Sequence, residues 1–109
     1  MAENLAFEPS TGNHWIYNSN LATYGYLYDW QTAKNVCPRG WHLPSDAEWS
    51  TLTDFLGGID VVGGKLKAEG TIDARTGIWD SPNVGATNES GFTALPGGLK
   101  SVFMDNIYS

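Results

Sequence analysis

The sequence predicts an α+β fold: two to three short helices against a small antiparallel sheet, with long loops between them. The chain has 109 residues, the size of one ordinary domain with one modest core. Thirteen glycines and five prolines exceed the usual share, so turns are frequent and elements short. Helix caps and period-two aromatic runs both occur, so both kinds of element are expected. Apolar content of 41% with 17% charged residues favours a folded domain, taken here as a single one over 1–109.

The elements follow in order. Residues 3–8 (ENLAFE) read as a short strand, ended by the turn cluster Pro9-Ser10-Thr11-Gly12. In an extended HWIYNSN, Trp15 and Tyr17 share a face. LATYGYLYDW sets Tyr24, Tyr26 and Tyr28 at period two, which puts three rings on one side of a strand. Asp29 is a good N-cap for a helix over 30–36, with Trp30, Ala33 and Val36 as its apolar stripe and Pro38 as its stop. Ser45-Asp46-Ala47-Glu48 is a capping box, the strongest local signal in the chain. Trp49, Leu52, Phe55 and Leu56 form the apolar face of the helix it starts, and Gly57-Gly58 supply the left-handed exit. A shorter helical piece is expected over 59–68. Residues 69–90 are loop-like. GFTALP reads as a short strand, Gly97-Gly98 as a turn, and LKSVFMDNIYS as a closing strand.

Charge excludes several functions. The net charge is −6, and the six Lys and Arg residues are scattered singly. No basic patch can neutralise phosphates, so neither nucleic acid nor an anionic membrane is expected as a partner. No apolar run approaches the ~20 residues of a spanning helix, so no membrane insertion is expected. MAENLAFEPS has no basic or apolar signal region, so no signal peptide is read in this chain. One cysteine excludes an internal disulfide, and Cys37, His14 and His42 are too few for a structural zinc.

The stretch CPRGWHLPSDAEW, residues 37–49, gathers the only cysteine, a histidine, two tryptophans and two carboxylates. Cys37 lies at the C-terminal end of its predicted helix, where the dipole disfavours a thiolate. It is expected to be a packed thiol and His42 a hydrogen-bonded structural residue, with no catalytic residue in the chain. Trp41 and Trp49 are expected as core anchors. GGIDVVGGKL fails as a phosphate loop, because Gly64 intervenes before Lys65 and Leu66 stands where a hydroxyl is needed. On the long loop, Trp79, Asp80, Asn83 and Asn88 are candidate ligand contacts, and Asp80, Asn83 and Glu89 are candidate Ca²⁺ ligands. The alternative is a hydrogen-bonded turn network. Trp15 and Tyr17, with the tyrosine row, form a second candidate ligand face, against a core role for the same rings. Asn88-Glu89-Ser90 matches a glycosylation sequon.

Three ordered blocks, YGYLYDWQTAKNVCPRGWHLPSDAEWSTLTDFLGG, GGKLKA and ATNESGFTALPGG, resemble the Fibrobacter succinogenes major paralogous domain, a bacterial family abundant in Bacteroidetes and Fibrobacteres. MAENL resembles the family's opening, and HLPSDAEW is similar to a block of formylglycine-generating enzymes. The resemblance implies a partial C-type-lectin-like fold and an extracellular or cell-surface location. It implies structural roles for Cys37, Trp41, Leu43, Pro44, Ser45, Glu48, Trp49, Phe92 and Pro96. Gly91-Phe92 and Leu95-Pro96-Gly97-Gly98 would enter the central sheet. Relative to the family pattern, the late strands and a bridging cysteine are expected to be missing here, leaving a sheet edge that could pair with a second copy. The expected function is a non-catalytic surface or secreted module that recognises a glycan or protein, needing no cofactor beyond a candidate Ca²⁺. One alternative is a structural component of a surface or phage-fibre assembly. The other is a formylglycine-generating oxidase, which the single cysteine argues against.

Overall fold

The computed structural model describes residues 3–101 and 107–108. In chain order the elements are β1 (His14–Ile16), α1 (Leu21–Tyr24), β2 (Tyr26–Tyr28), α2 (Trp30–Ala33), α3 (Asp46–Phe55), α4 (Ile59–Leu66), β3 (Leu99–Lys100) and β4 (Ile107–Tyr108). Helices and small antiparallel ladders together agree with the α+β expectation. The described residues fall into two compact units, one of 3–43 with the chain from 97 onward, the other of 44–96.

In the first unit β1 pairs antiparallel with β2, His14 opposite Tyr28 and Ile16 opposite Tyr26. Residues 3–8 are not the strand expected from their composition. They lie beside β2 through separate contacts: the Leu5 carbonyl accepts from Tyr26 N at 2.9 Å, and the Tyr28 hydroxyl donates to the Phe7 carbonyl. Burial, then repulsion from Tyr26, pushes the Tyr28 phenol up from its ordinary value, against the pull of that hydrogen bond. The tyrosine row is also broken. Tyr24 closes α1, and Gly25 turns the chain with a positive φ of 65° before β2 begins. A side chain there would run into the Leu5 carbonyl, so glycine is required and the three rings cannot share one strand. Tyr26 and Tyr28 still meet edge-on at 6.1 Å, while Tyr24 meets Tyr17 at 5.0 Å.

Asp29 caps α2 as expected, its Oδ1 accepting from Thr32 N at 2.8 Å. The helix is shorter than 30–36, and Trp30 is 65% exposed, so the expected stripe does not form. Val36 is buried nonetheless, beyond the helical turn, and Thr32 is buried on α2 itself. Hydrogen bonds from Thr32, then from Asn13, hold the Asp29 carboxyl below its ordinary value of 3.8. The folded pKa is depressed, so this carboxylate contributes stability above its unfolded pKa and loses it as pH falls through the folded one. Asp29→Asn is therefore expected to flatten the acid limb of a pH series of thermal melts below about pH 4. An unchanged acid limb would remove Asp29 from the acid response.

In the second unit the Ser45 side-chain cap of the expected box forms. Glu48 N donates to Ser45 Oγ at 3.2 Å, and the hydroxyl donates to the Glu48 carboxylate at 3.3 Å. Ser45→Ala should cost about 1 kcal/mol, read from the midpoint of a urea melt. Gly58 N returns to the Thr53 carbonyl at 2.9 Å, which closes α3 at the expected glycines. Leu56 is buried, but Phe55 is 84% exposed. Successive helical residues are about 100° apart, so Phe55 lies about 100° from Leu56 and about 60° from Leu52, on the far edge of the face that Leu56 buries. α4 matches the helix expected over 59–68, and 69–90 carry no helix or strand.

The expected strand GFTALP is reduced to one parallel bridge, Lys67 with Ala94. The expected closing strand is instead an antiparallel pair, Leu99 opposite Tyr108 and Lys100 opposite Ile107; residues 102–106 of that stretch lie outside the described residues.

The tryptophan block departs most from expectation. Trp41 is 57% exposed and Trp49 42%, so neither anchors a core. Trp41 follows the Pro38 turn outside any element, its N–H bonded to the Pro38 carbonyl at 2.9 Å. Trp49 rests one edge on Phe92, itself exposed, with ring centroids 6.4 Å apart. Among the described residues the buried apolar side chains are Tyr17, Val36 and Leu56.

Candidate functional site

The long loop after α4 is organised by the short segment that leaves the helix. Ala94 N donates to Leu66 O at 2.8 Å, and Ala68 N to Ala94 O at 3.0 Å. The Ala94 carbonyl also accepts from the Trp79 indole N–H at 2.9 Å. The indole therefore ties the loop to its own exit. Lys67 Nζ lies 5.3 Å from the centroid of the Trp79 ring, and 3.4 Å from the Val84 carbonyl. That cation sits against the indole face, a contact of about 0.5–1 kcal/mol at an exposed site.

Asn83 is the second tie. Its amide nitrogen donates to the carbonyls of Ala68, at 3.1 Å, and Gly70, at 2.9 Å. The backbone at Asn83 has a positive φ of 47°, which Asn tolerates better than most residues. Its Oδ1 is buried without a hydrogen-bond partner. Asn88 holds the next turn: Oδ1 accepts from Thr93 N at 2.8 Å, and Nδ2 donates to Thr93 Oγ1 at 2.9 Å. The nitrogen of the sequon is thus already engaged. Glu89 pairs with Lys65 at 3.3 Å, both groups partly exposed.

The structure therefore brings Trp79 and Asn83 together on the segment 67–70, and sets Asn88 and Glu89 on the neighbouring turn. Asp80 is exposed. The candidate Ca²⁺ ligands point to different partners, Asn83 to backbone carbonyls and Glu89 to Lys65. Among the described residues no group of three or more His, Cys, Asp or Glu side chains is placed to hold a metal ion. In the first unit Trp15 is half-buried on β1, while Tyr17 lies in the core against Tyr24. Cys37 is a half-buried free thiol. Among the described residues no helix is long and apolar enough to cross a membrane.

The exposed aromatics Trp30, Trp41, Trp49 and Phe92 are what a reading of the sequence missed as surface features. A signal did exist for one of them. Trp30 follows a capping Asp29 and stands one turn before Lys34, whose ammonium lies 5.7 Å from its ring. Such a position in a single-turn helix faces solvent unless another element covers it.

The family model described as the Fibrobacter succinogenes major domain matches residues 1–108. No curated protein and no solved structure matches the chain.

Proposed function

The chain belongs to the Fibrobacter succinogenes major domain family, and on that premise we propose that it is a non-catalytic bacterial recognition module, secreted or displayed at the cell surface. It meets a glycan or a protein through exposed loops and aromatic rings, on a partial C-type-lectin-like fold. The observation that carries this reading is the exposure of large rings that a folding core would be expected to claim: Trp30, Trp41, and the Trp49–Phe92 pair. Tryptophan offers a large rigid contact area at little conformational cost, and it dominates the energetics of interfaces where it occurs. The hydrogen-bonding side chains of the long loop support the reading from another direction. Asn83, Asn88 and Trp79 each hold backbone, so the loop presents a fixed outline to a partner.

The test is binding of the wild-type chain to a glycan array and to immobilised cell-surface proteins, repeated with Trp41→Ala and Trp49→Ala. Each variant is expected to lose about tenfold or more in affinity for whatever the wild type retains, with a melting curve close to wild type. Full retention of binding by both variants would sink the reading. A structural or assembly role, including pairing of two copies through a sheet edge, predicts instead multimers in light scattering without any added ligand.

A further inference from the structure

We infer that a cleft in the first unit is a binding site for a neutral saccharide of one or two sugar rings. The cleft has a volume of about 330 Å³ and is formed by the turn of residues 7–12 on one side and the α2 region on the other. A cavity of this volume lies at the small end of the range for ligand sites, roughly 300–1,000 Å³.

Its lining specifies the chemistry. Ser10 and Thr11 bring hydroxyls, and Gln31 and Asn35 bring amides, Asn35 Nδ2 giving one hydrogen to the Gln31 carbonyl at 2.9 Å. Phe7 and Val36 bring apolar surface beside the buried Thr32, whose side chain bonds Asp29. Hydroxyl and carboxamide groups each offer donor and acceptor capacity, the pattern that ring hydroxyls require. None of the lining residues bears a formal charge. The chain's net charge of −6 further disfavours an anion. Phosphorylated and carboxylated ligands are therefore poor fits, and a neutral polyol is a good one. Phe7 is an exposed ring at the edge of the cleft, placed to cover the C–H face of a sugar.

The walls are fixed in advance of any ligand. The Tyr28 hydroxyl holds the Phe7 carbonyl at one end of the turn. At the other end Asn13 Nδ2 donates to Asp29 Oδ2 at 2.9 Å, and Asp29 N to the Asn13 carbonyl at 3.2 Å, so the residue that caps α2 also clasps the turn. His14 reaches back to both, Nδ1 3.1 Å from the Gly12 carbonyl and Nε2 3.6 Å from the Glu8 carboxylate. Gly12 lies so near Thr32 that any side chain at 12 would strike the Thr32 hydroxyl and methyl groups. A turn this heavily tied, against a helix of a single turn, reduces the ordering that binding would otherwise require.

A saccharide ligand here rests on the recognition role proposed above and narrows it to one place and one chemical class. The experiment is titration of the isotopically labelled chain with cellobiose, maltose and lactose, and with glucuronate as the charged control, followed by amide chemical shifts. Shifts are expected at residues 10–12 and 31–36 with at least one neutral disaccharide and not with glucuronate. Asn35→Ala should weaken that binding about fivefold to tenfold, the loss of one or two hydrogen bonds. Gln31→Glu, an isosteric change at an exposed position, gives a second variant should the first fail to fold, and is expected to weaken binding likewise. No shift at these residues with any neutral sugar into the tens of millimolar overturns the inference, as does equal binding of glucuronate. Sugar-induced shifts confined to residues 79–94 would overturn it too, while leaving the recognition role standing. Loss of ring-dependent binding on the arrays would instead remove that role.

Discussion

Gly64→Ala will lower the stability of the second unit by about 2–3 kcal/mol, whereas Gly63→Ala, one residue earlier on the same helix, will be neutral or stabilising by up to about 1 kcal/mol. Both positions lie inside α4, where helix propensity alone favours alanine over glycine. The surroundings separate them. A methyl group at 63 meets nothing within 4 Å. One at 64 would overlap the carbonyl group of Gly85, a backbone group that cannot rotate away. The same approach carries a hydrogen bond, Thr87 N to Gly64 O at 2.9 Å, so moving the helix outward to make room breaks a second contact. Overpacking against backbone outweighs the propensity gain. Paired urea melts measure the difference: a lowered midpoint for Gly64→Ala and an unchanged or raised one for Gly63→Ala, with similar slopes, are expected. Equal midpoints for the two variants would mean that α4 does not pack on the 85 turn as described.

Asn83→Asp is the second large effect, expected to destabilise by about 2–4 kcal/mol at neutral pH. The wild-type amide nitrogen donates to two carbonyls, Ala68 and Gly70, in a partly buried setting. An ionised carboxylate of the same shape has no proton to give either one, and its charge faces two oxygen atoms. The aspartate would therefore hold its proton more tightly when folded than when unfolded. The native state then binds more protons than the unfolded state between the two pKa values, so stability falls as pH rises through that interval. The variant is expected to be closer to wild type at about pH 4 than at pH 7, since a protonated acid restores one donor. Asn83→Ala should fall between, losing both hydrogen bonds without adding a charge. A variant as stable as wild type at pH 7 would show that the loop does not depend on this side chain.

How far the sequence revealed these features depends on distance along the chain. The Ser45 cap, the Asp29 cap, the glycine exit at 57–58 and the helix at 59–66 each rest on partners within about five residues. They were legible because the residue types at those spacings have few other uses. Asn83 was singled out for its oxygen, yet its nitrogen is the working atom, bound to carbonyls 13 and 15 residues away. Nothing near Asn83 in the chain indicates those partners. Phe55 departs from expectation for a simpler reason: it is one residue, about 100°, from Leu56, the side chain that α3 buries.

By itself the sequence determined the family, the mixed helix-and-strand class, where α2, α3 and α4 start and the glycine exit of α3, because caps and glycine exits act through hydrogen bonds and torsions of a few neighbouring residues. The end of α2 at Ala33 carries no such local mark. Only the tertiary structure decided which rings are buried. Tyr17 is inside and Trp41 outside, although both are large aromatics. Burial is set by what arrives from elsewhere: Tyr24 folds over Tyr17, whereas the turn at Pro38 leaves Trp41 beyond any element. The turn of 7–12 and the residues around α2 likewise become one cleft only when Asp29 joins its helix cap to Asn13. A polar lining drawn from segments some twenty residues apart carries no periodic mark in the sequence, since each segment satisfies only its own local geometry until the fold closes.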